Sequence, residues 1–261
     1  MKLLIFVFAL VIFFTSCEKV IELDLSTADA KLVIEGNITN QAGPYFVKLT
    51  KTLPFDQPSI YPGVAGATIT ISDNTGVKDT LVYTDKGIYR TSTLQGIVGR
   101  TYTLNVISEG KTYEAKSTMP AFVPLDTIRI SSFTFGGLEQ KFLIPVYTDP
   151  KELGNNYNFR LIVNDTLDKS YITWNDNTNN GVPNQRPLGR SDSNFKTGDD
   201  VFLEMQCVDL SAFNYYFTLA ELANGGAGGG ITPSNPPNNI SGGALGLFSA
   251  HTSQVKEIKI P

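Results

Sequence analysis

A single histidine, His251, and one cysteine deep in the chain, Cys207, restrict the chemistry this sequence can perform. A histidine-rich zinc site needs more than one imidazole, and a Ser-His-Asp triad would have to recruit His251 with no nucleophile-elbow sequence present. Cys207 closes the alternating run Val201, Leu203, Met205, Cys207 and reads as a small buried hydrophobe without an activating neighbour. Carboxylates remain. Asp149, Glu152, Asp199 and Asp200 are candidates for a glycosidase-like pair, which requires two carboxyl groups about 5–10 Å apart in a cleft; each suits a turn equally well. The run from Asp176 to Gly181 offers hard oxygen ligands. Its third position is Thr178 and its twelfth is Pro187, where an EF-hand needs a bidentate Glu, so that motif fails and only a looser calcium site stays open. Glycines 225–230 follow a helical pattern, whereas a phosphate cradle precedes its helix. No catalytic residue, metal ligand or cofactor is assigned on these grounds. Trp174 with Asn175 and Asp176 is the candidate ligand-binding trio, because an indole face stacks on a sugar or grips a peptide while its polar neighbours hydrogen-bond; a core tryptophan is the competing reading.

The elements that position these residues read as strands. The chain has 261 residues, 41% hydrophobic and 18% charged, which is a globular composition. The formal net charge is −4 and no Lys/Arg cluster occurs, so a nucleic-acid partner is not expected. Short alternating segments cover 32–38, 45–51, 67–72, 79–83, 87–91, 101–106 and 111–117, separated by Gly, Pro, Asn and Asp, and imply a β-sandwich over 31–119. Residues 120–124, with Pro120 and Pro124, read as a linker. A second series follows at 128–135, 141–148, 157–164, 170–174 and 201–208, with a long surface loop over 175–198. One helix is expected at 212–223, capped by Ser211 and ended by Asn224-Gly225, and its stripe of Phe213, Tyr216, Phe217 and Ala220 reads as packing. Segments 245–250 and 255–260 read as two closing strands. The fold class is therefore mainly β, with two β-sandwich domains, 31–119 and 125–261, the second carrying the helix. Pro62–Tyr89, with Gly66, Asp73, Gly76 and Gly87-Ile88-Tyr89, resembles the transthyretin-like or Ig-like sandwich, in which such glycines shape turns.

The amino terminus gives the address. Lys2, the unbroken apolar run Leu3–Phe14 and the small residues Thr15 and Ser16 form a secretory signal over 1–16. That run is shorter than the roughly 20 residues a membrane-spanning helix needs. Phe14-Thr15-Ser16-Cys17 resembles a bacterial lipoprotein signal, which implies cleavage before Cys17 and lipidation of Cys17. Several acyl chains anchor stably, at about 0.8 kcal/mol per buried methylene. Residues 17–30 then form a lipidated tether, and Glu18 resembles the acidic tag of lipoproteins exported to the outer face.

Three Asp-Thr-aliphatic triplets, Asp79-Thr80-Leu81, Asp126-Thr127-Ile128 and Asp165-Thr166-Leu167, resemble the O-glycosylation site of Bacteroidota. They make Thr80, Thr127 and Thr166 candidate modification sites.

Toward the C terminus, Thr232-Pro233-Ser234-Asn235-Pro236-Pro237 and Asn238-Asn239-Ile240-Ser241-Gly242-Gly243-Ala244-Leu245-Gly246-Leu247-Phe248 carry a wider resemblance. Together with Leu32-Val33-Ile34-Glu35-Gly36-Asn37, Tyr147-Thr148-Asp149-Pro150 and Asn156-Tyr157, they are similar in order and spacing to a Bacteroidota lipoprotein family of unknown function, DUF4249. The resemblance covers nearly the whole chain. It implies an outer-membrane lipoprotein facing the cell exterior, partnered with a TonB-dependent transporter of the SusC type, and it brings no catalytic residues. A ligand-binding or transporter-accessory role is the leading expectation. A carboxylate-dependent hydrolase acting on carbohydrate or peptide, and a structural envelope lipoprotein, are the alternatives.

Overall fold

The computed structural model describes residues 29–54, 57–177, 180–190, 194–223 and 235–261. The signal segment 1–16, Cys17, most of the 17–30 tether and the glycine run 225–230 lie outside the described residues.

The first half of the chain forms β1 (Leu32–Thr39), β2 (Phe46–Lys51), β3 (Thr68–Asp73), β4 (Lys78–Thr80), β5 (Val82–Tyr83), β6 (Ile88–Arg90), β7 (Thr101–Ser108) and β8 (Lys111–Thr118). Alternation sends one face of each strand inward. Ile34, Ile38, Val47 and Leu49 meet Ile69, Ile71, Tyr102, Leu104 and Val106 in one buried cluster, so the sheet β4-β3-β7-β8 packs over the β1-β2-β6-β5 segment of a second sheet. Gly87 sits at φ +80°, and a Cβ there would come within 2.1 Å of the Leu49 carbonyl oxygen, so this glycine lets two backbone segments touch.

The second half contributes β9 (Thr127–Phe135), β10 (Leu138–Val146), β11 (Asn156–Val163), β12 (Thr166–Leu167), β13 (Ile172–Asn175), β14 (Asp200–Cys207), α1 (Leu210–Ala223) and β15 (Leu245–Lys259). Tyr157, Phe159, Leu161 and Val163 of β11 and Val201, Leu203 and Met205 of β14 bury against Ile128 and Leu143 of the β9–β10 hairpin. The molecule is thus mainly β with two cores, as its alternating pattern implies.

The sequence reads two closing strands, and the structure has one. β15 runs unbroken for 15 residues, parallel to β1 from Leu245 to His251 and antiparallel to β14 from Thr252 to Lys259. His251, Thr252 and Ser253 look like an interruption but are buried. Ser253 takes Asn40 Oδ1 on its amide at 2.8 Å and gives its hydroxyl to Glu204 Oε1 at 2.6 Å, so its polar groups are satisfied within the sheet. β15 thereby joins both halves into one nine-stranded sheet, β12-β11-β14-β15-β1-β2-β6-β5, with β13 also on β11. Ile240, Ala244, Phe248 and Ala250 return to the first core, whereas Ile260 lies in the second. Val123 and Leu125, around the proline-flanked 120–124 segment, are buried in the second core and tied to Gln254, whose Nε2 donates to the Val123 carbonyl at 2.6 Å while Oε1 accepts the Leu125 amide at 2.7 Å.

Two further expectations are corrected. The 175–198 segment is a cover rather than a surface loop in its described part, because Leu143 bridges to Leu188, Thr148 bridges to Pro183, and Leu188 and Phe195 are core residues. The helix cap is Asp209, not Ser211: Asp209 Oδ1 accepts the Ala212 amide at 2.9 Å, while Oδ2 accepts Ser117 Oγ at 2.6 Å and fixes the helix start to β8.

Candidate functional site

A concavity of about 850 Å³ lies between α1 and the polar face of the large sheet. β1, β11 and β15 supply Glu35, Asn37, Asn158, Arg160, Leu247 and Ser249 as its floor. Period-2 alternation explains the polarity, since Ile34, Phe159 and Phe248 take the core side and their neighbours the other. Tyr215, Tyr216 and Leu219 of α1 line it together with Leu167 to Tyr171. A second concavity of about 460 Å³ shares Glu35 and Tyr215 with the first and continues along β1 and β2 past Lys48, Thr50 and Thr52 to Tyr61.

Polar groups behind the floor are tied to one another. Asn158 Nδ2 donates to Gln206 Oε1 at 2.7 Å, and Gln206 Nε2 donates to Glu204 Oε1 at 2.9 Å. Arg160 approaches the other Glu204 oxygen at 3.4 Å. This locked network presents a shaped, hydrogen-bonding surface. Glu35, Asn37 and Lys169 are exposed along it. Asp168 is held by Arg190 at 2.7 Å and by Ser170; burial pushes its carboxyl up, and these contacts outweigh burial and keep it below the usual range. Burial raises the Tyr216 hydroxyl to about 12, and Tyr215 is raised by burial and by Glu35, so α1 presents neutral phenols.

Ser249 Oγ and His251 Nδ1 are 3.0 Å apart on one face of β15. Burial drives the imidazole down to about 4, Glu204 opposes that and Arg160 reinforces it, leaving a neutral ring at neutral pH. The pair lies in mid-strand, and the next amide, Ala250 N–H, is given to Ser117 Oγ at 2.8 Å. A serine nucleophile needs free oxyanion donors beside it, and this amide is not free.

Trp174, Asn175 and Asp176 do not line the groove. Trp174 packs its ring 4.6 Å from that of Phe159, and Arg186 lies 5.5 Å above it. Asp176 is buried and holds a turn, accepting the Gly154 amide at 2.6 Å and the Asn155 amide at 2.9 Å. Of the four candidate carboxylates, Asp149 bonds Tyr157 at the start of β11, whereas Asp199 bonds Asn164 just beyond its end. A strand of that length holds them about 20 Å apart, too far for glycosidic-bond cleavage between them. Asp200 pairs with Lys259 at that far end, and Glu152 is exposed on the Asp149 side. Cys207 is buried and burial pushes its thiol up, which leaves it unreactive. Thr80, Thr127 and Thr166 are all exposed.

Tyr215 and Tyr171 escaped the sequence reading. A signal was present in the adjacent tyrosines 215 and 216, both of which are only partly buried and line the groove.

Fold and groove together define a two-core β protein whose single described helix walls an open trough on a shared sheet. The profile of the family described as a domain of unknown function, DUF4249, matches residues 18–257, and the chain belongs to that family. A comparison with curated proteins finds no match. Among the described residues no helix is long and apolar enough to cross a membrane.

Proposed function

We propose that this protein is a surface lipoprotein, held to the outer membrane by lipid on Cys17, that captures an extended polar ligand in the α1 groove and hands it to a TonB-dependent transporter of the SusC type. The observation that carries the reading is Tyr215, shared by both concavities, with Tyr171 also lining the larger one. Flat neutral rings over a floor of amide, hydroxyl and carboxylate groups suit a saccharide chain, whose faces stack and whose hydroxyls hydrogen-bond. The signal segment and the resemblance to transporter-linked lipoproteins support the location and the partner.

Titration of the protein with defined oligosaccharides (malto-, xylo- and cello-hexaoses) and, separately, with a tryptic peptide mixture tests the groove. Binding of at least one hexaose that weakens about tenfold in Tyr215→Ala, roughly 1.4 kcal/mol, supports the reading. Retention of only peptides replaces the ligand class, and full affinity in Tyr215→Ala removes the groove from the account. Affinity purification from native membranes tests the partner: recovery of a TonB-dependent transporter with the wild-type chain is expected, and Cys17→Ala should appear in the soluble fraction.

A further inference from the structure

At the start of β11, far along the sheet from Asp199, two acidic side chains are buried together beneath the segments 149–155 and 180–184. Asp149 and Asp176 are each 3% exposed. Asp149 Oδ1 accepts the Tyr157 hydroxyl, but Oδ2 is shut off from solvent and meets no donor. Asp176 Oδ2 is saturated by the amides of Gly154 and Asn155 and by Asn155 Nδ2 at 3.3 Å, and none of these bonds reaches Oδ1. Arg186 is turned to the Trp174 ring and gives Nη2 to the Asn175 carbonyl at 2.9 Å. Burial raises the Asp149 carboxyl, Tyr157 lowers it, the charge of Asp176 raises it further, the nearby Gly181 amide lowers it, and Arg186 is the weakest of these influences.

A buried carboxylate oxygen without a partner is strongly unfavourable, and in folded proteins such an atom marks a missing counter-ion, proton or water. We propose that Asp149 and Asp176 hold a calcium ion between them, with carbonyl oxygens of the two loops and water completing its shell. Among the described residues no group of three or more His, Cys, Asp or Glu side chains is placed to hold a metal ion, so most of the shell must come from carbonyls and water. Calcium accepts few carboxylates when carbonyls and water make up the rest. The backbone already draws the two loops together: Asp176 N donates to Asn155 O at 3.2 Å, Gly181 N to Pro150 O at 3.1 Å and Asp149 N to Val182 O at 3.2 Å. A cation at this seam would fasten the cover over the second core to β11. This site is separate from the groove and does not depend on the ligand proposed there.

The chain's only tryptophan, Trp174, lies two residues from Asp176 and serves as a built-in reporter. In the intact protein stripped with EDTA, terbium should show Trp174-sensitised luminescence that calcium displaces with a midpoint of about 0.1–1 mM, the range of extracellular calcium modules. Calcium at about 10 mM should raise Tm by about 5 °C. Asp149→Asn preserves the shape and a partner for Tyr157, and should lose both responses. Wild-type protein that shows neither response, or Asp149→Asn that responds equally, overturns the proposal; so does Asp149→Asn more stable than stripped wild type, which would assign a proton to Asp149. Should Asp149→Asn not fold, equilibrium dialysis of wild type in about 10 mM calcium decides, with about one calcium per chain bound expected and none overturning it.

Discussion

The carboxylate of Asp79 and the backbone amide of Thr93 lie 2.7 Å apart, and the amides of Ser92 and Leu94 converge on the same oxygen at 2.8 and 2.9 Å. One buried side chain on β4 thus organises the turn that follows β6 and closes an end of the first sandwich. Its triplet partner Thr80 points outward while Asp79 points in, which is the ordinary consequence of strand alternation.

Asp79→Asn should cost about 2–3 kcal/mol, because charge-assisted hydrogen bonds are lost and an amide group is set against three donors. Burial raises the Asp79 carboxyl, and the three amides outweigh burial, so its folded pKa is lowered. A lowered folded pKa means that this stability is present above the unfolded value near 3.9 and is lost as pH falls through the folded value. Urea midpoints at pH 7 and pH 3 should therefore differ less in Asp79→Asn than in wild type.

His251 works in the same direction at higher pH. Its folded value of about 4 lies below the unfolded value of 6.5, so between these limits the unfolded chain binds the extra proton and stability falls as pH falls. The loss amounts to something on the order of 3 kcal/mol across that window. His251→Gln should flatten the dependence of the denaturant midpoint between pH 6.5 and 4. A variant with the wild-type slope would assign the titration to groups other than His251.

Alternation made most strands readable, since Ile69 and Ile71 or Tyr102, Leu104 and Val106 announce their own faces. What stayed hidden was long-range. Nothing local in Leu245–Lys259 says that its first half pairs in parallel with β1 and its second half antiparallel with β14. In the buried polar run 251–253, Ser253 is satisfied by Asn40 and Glu204, which reach it from distant parts of the chain. The groove was hidden for the same reason, as its walls come from the β12–β13 region and α1 while its floor comes from three separated strands. Trp174 drew attention as an indole beside Asn175 and Asp176, yet its partners Phe159 and Arg186 arrive from the sheet and the cover.

The three Asp-Thr triplets are not equivalent in the folded protein. Asp126 and Asp165 are exposed beside their threonines, whereas Asp79 is buried and committed to backbone amides. An enzyme that reads the acidic residue on a folded substrate should modify Thr127 and Thr166 and leave Thr80 bare. Peptide mapping of the exported protein checks this. A glycan on Thr80 would show that modification precedes folding, and an unmodified mass would remove the motif reading.

The parallel seam between β1 and β15 makes the last prediction. Gly246 sits at φ +105°, and a Cβ there would lie 2.1 Å from the Ile34 carbonyl oxygen, so Gly246→Ala must push the strands apart as well as strain the backbone. Gly243, at φ +81° with open space around it, carries the strain alone. Gly243→Ala should cost about 1–2 kcal/mol, and Gly246→Ala more than about 3 kcal/mol. Because β15 continues from this seam into the second core, the damage should reach Trp174, which packs there. Trp174 fluorescence and far-UV circular dichroism should then report one shared unfolding midpoint, displaced equally by Gly246→Ala. A Trp174 transition that stays at its wild-type midpoint while circular dichroism becomes biphasic would show that the two cores unfold independently despite their common strand.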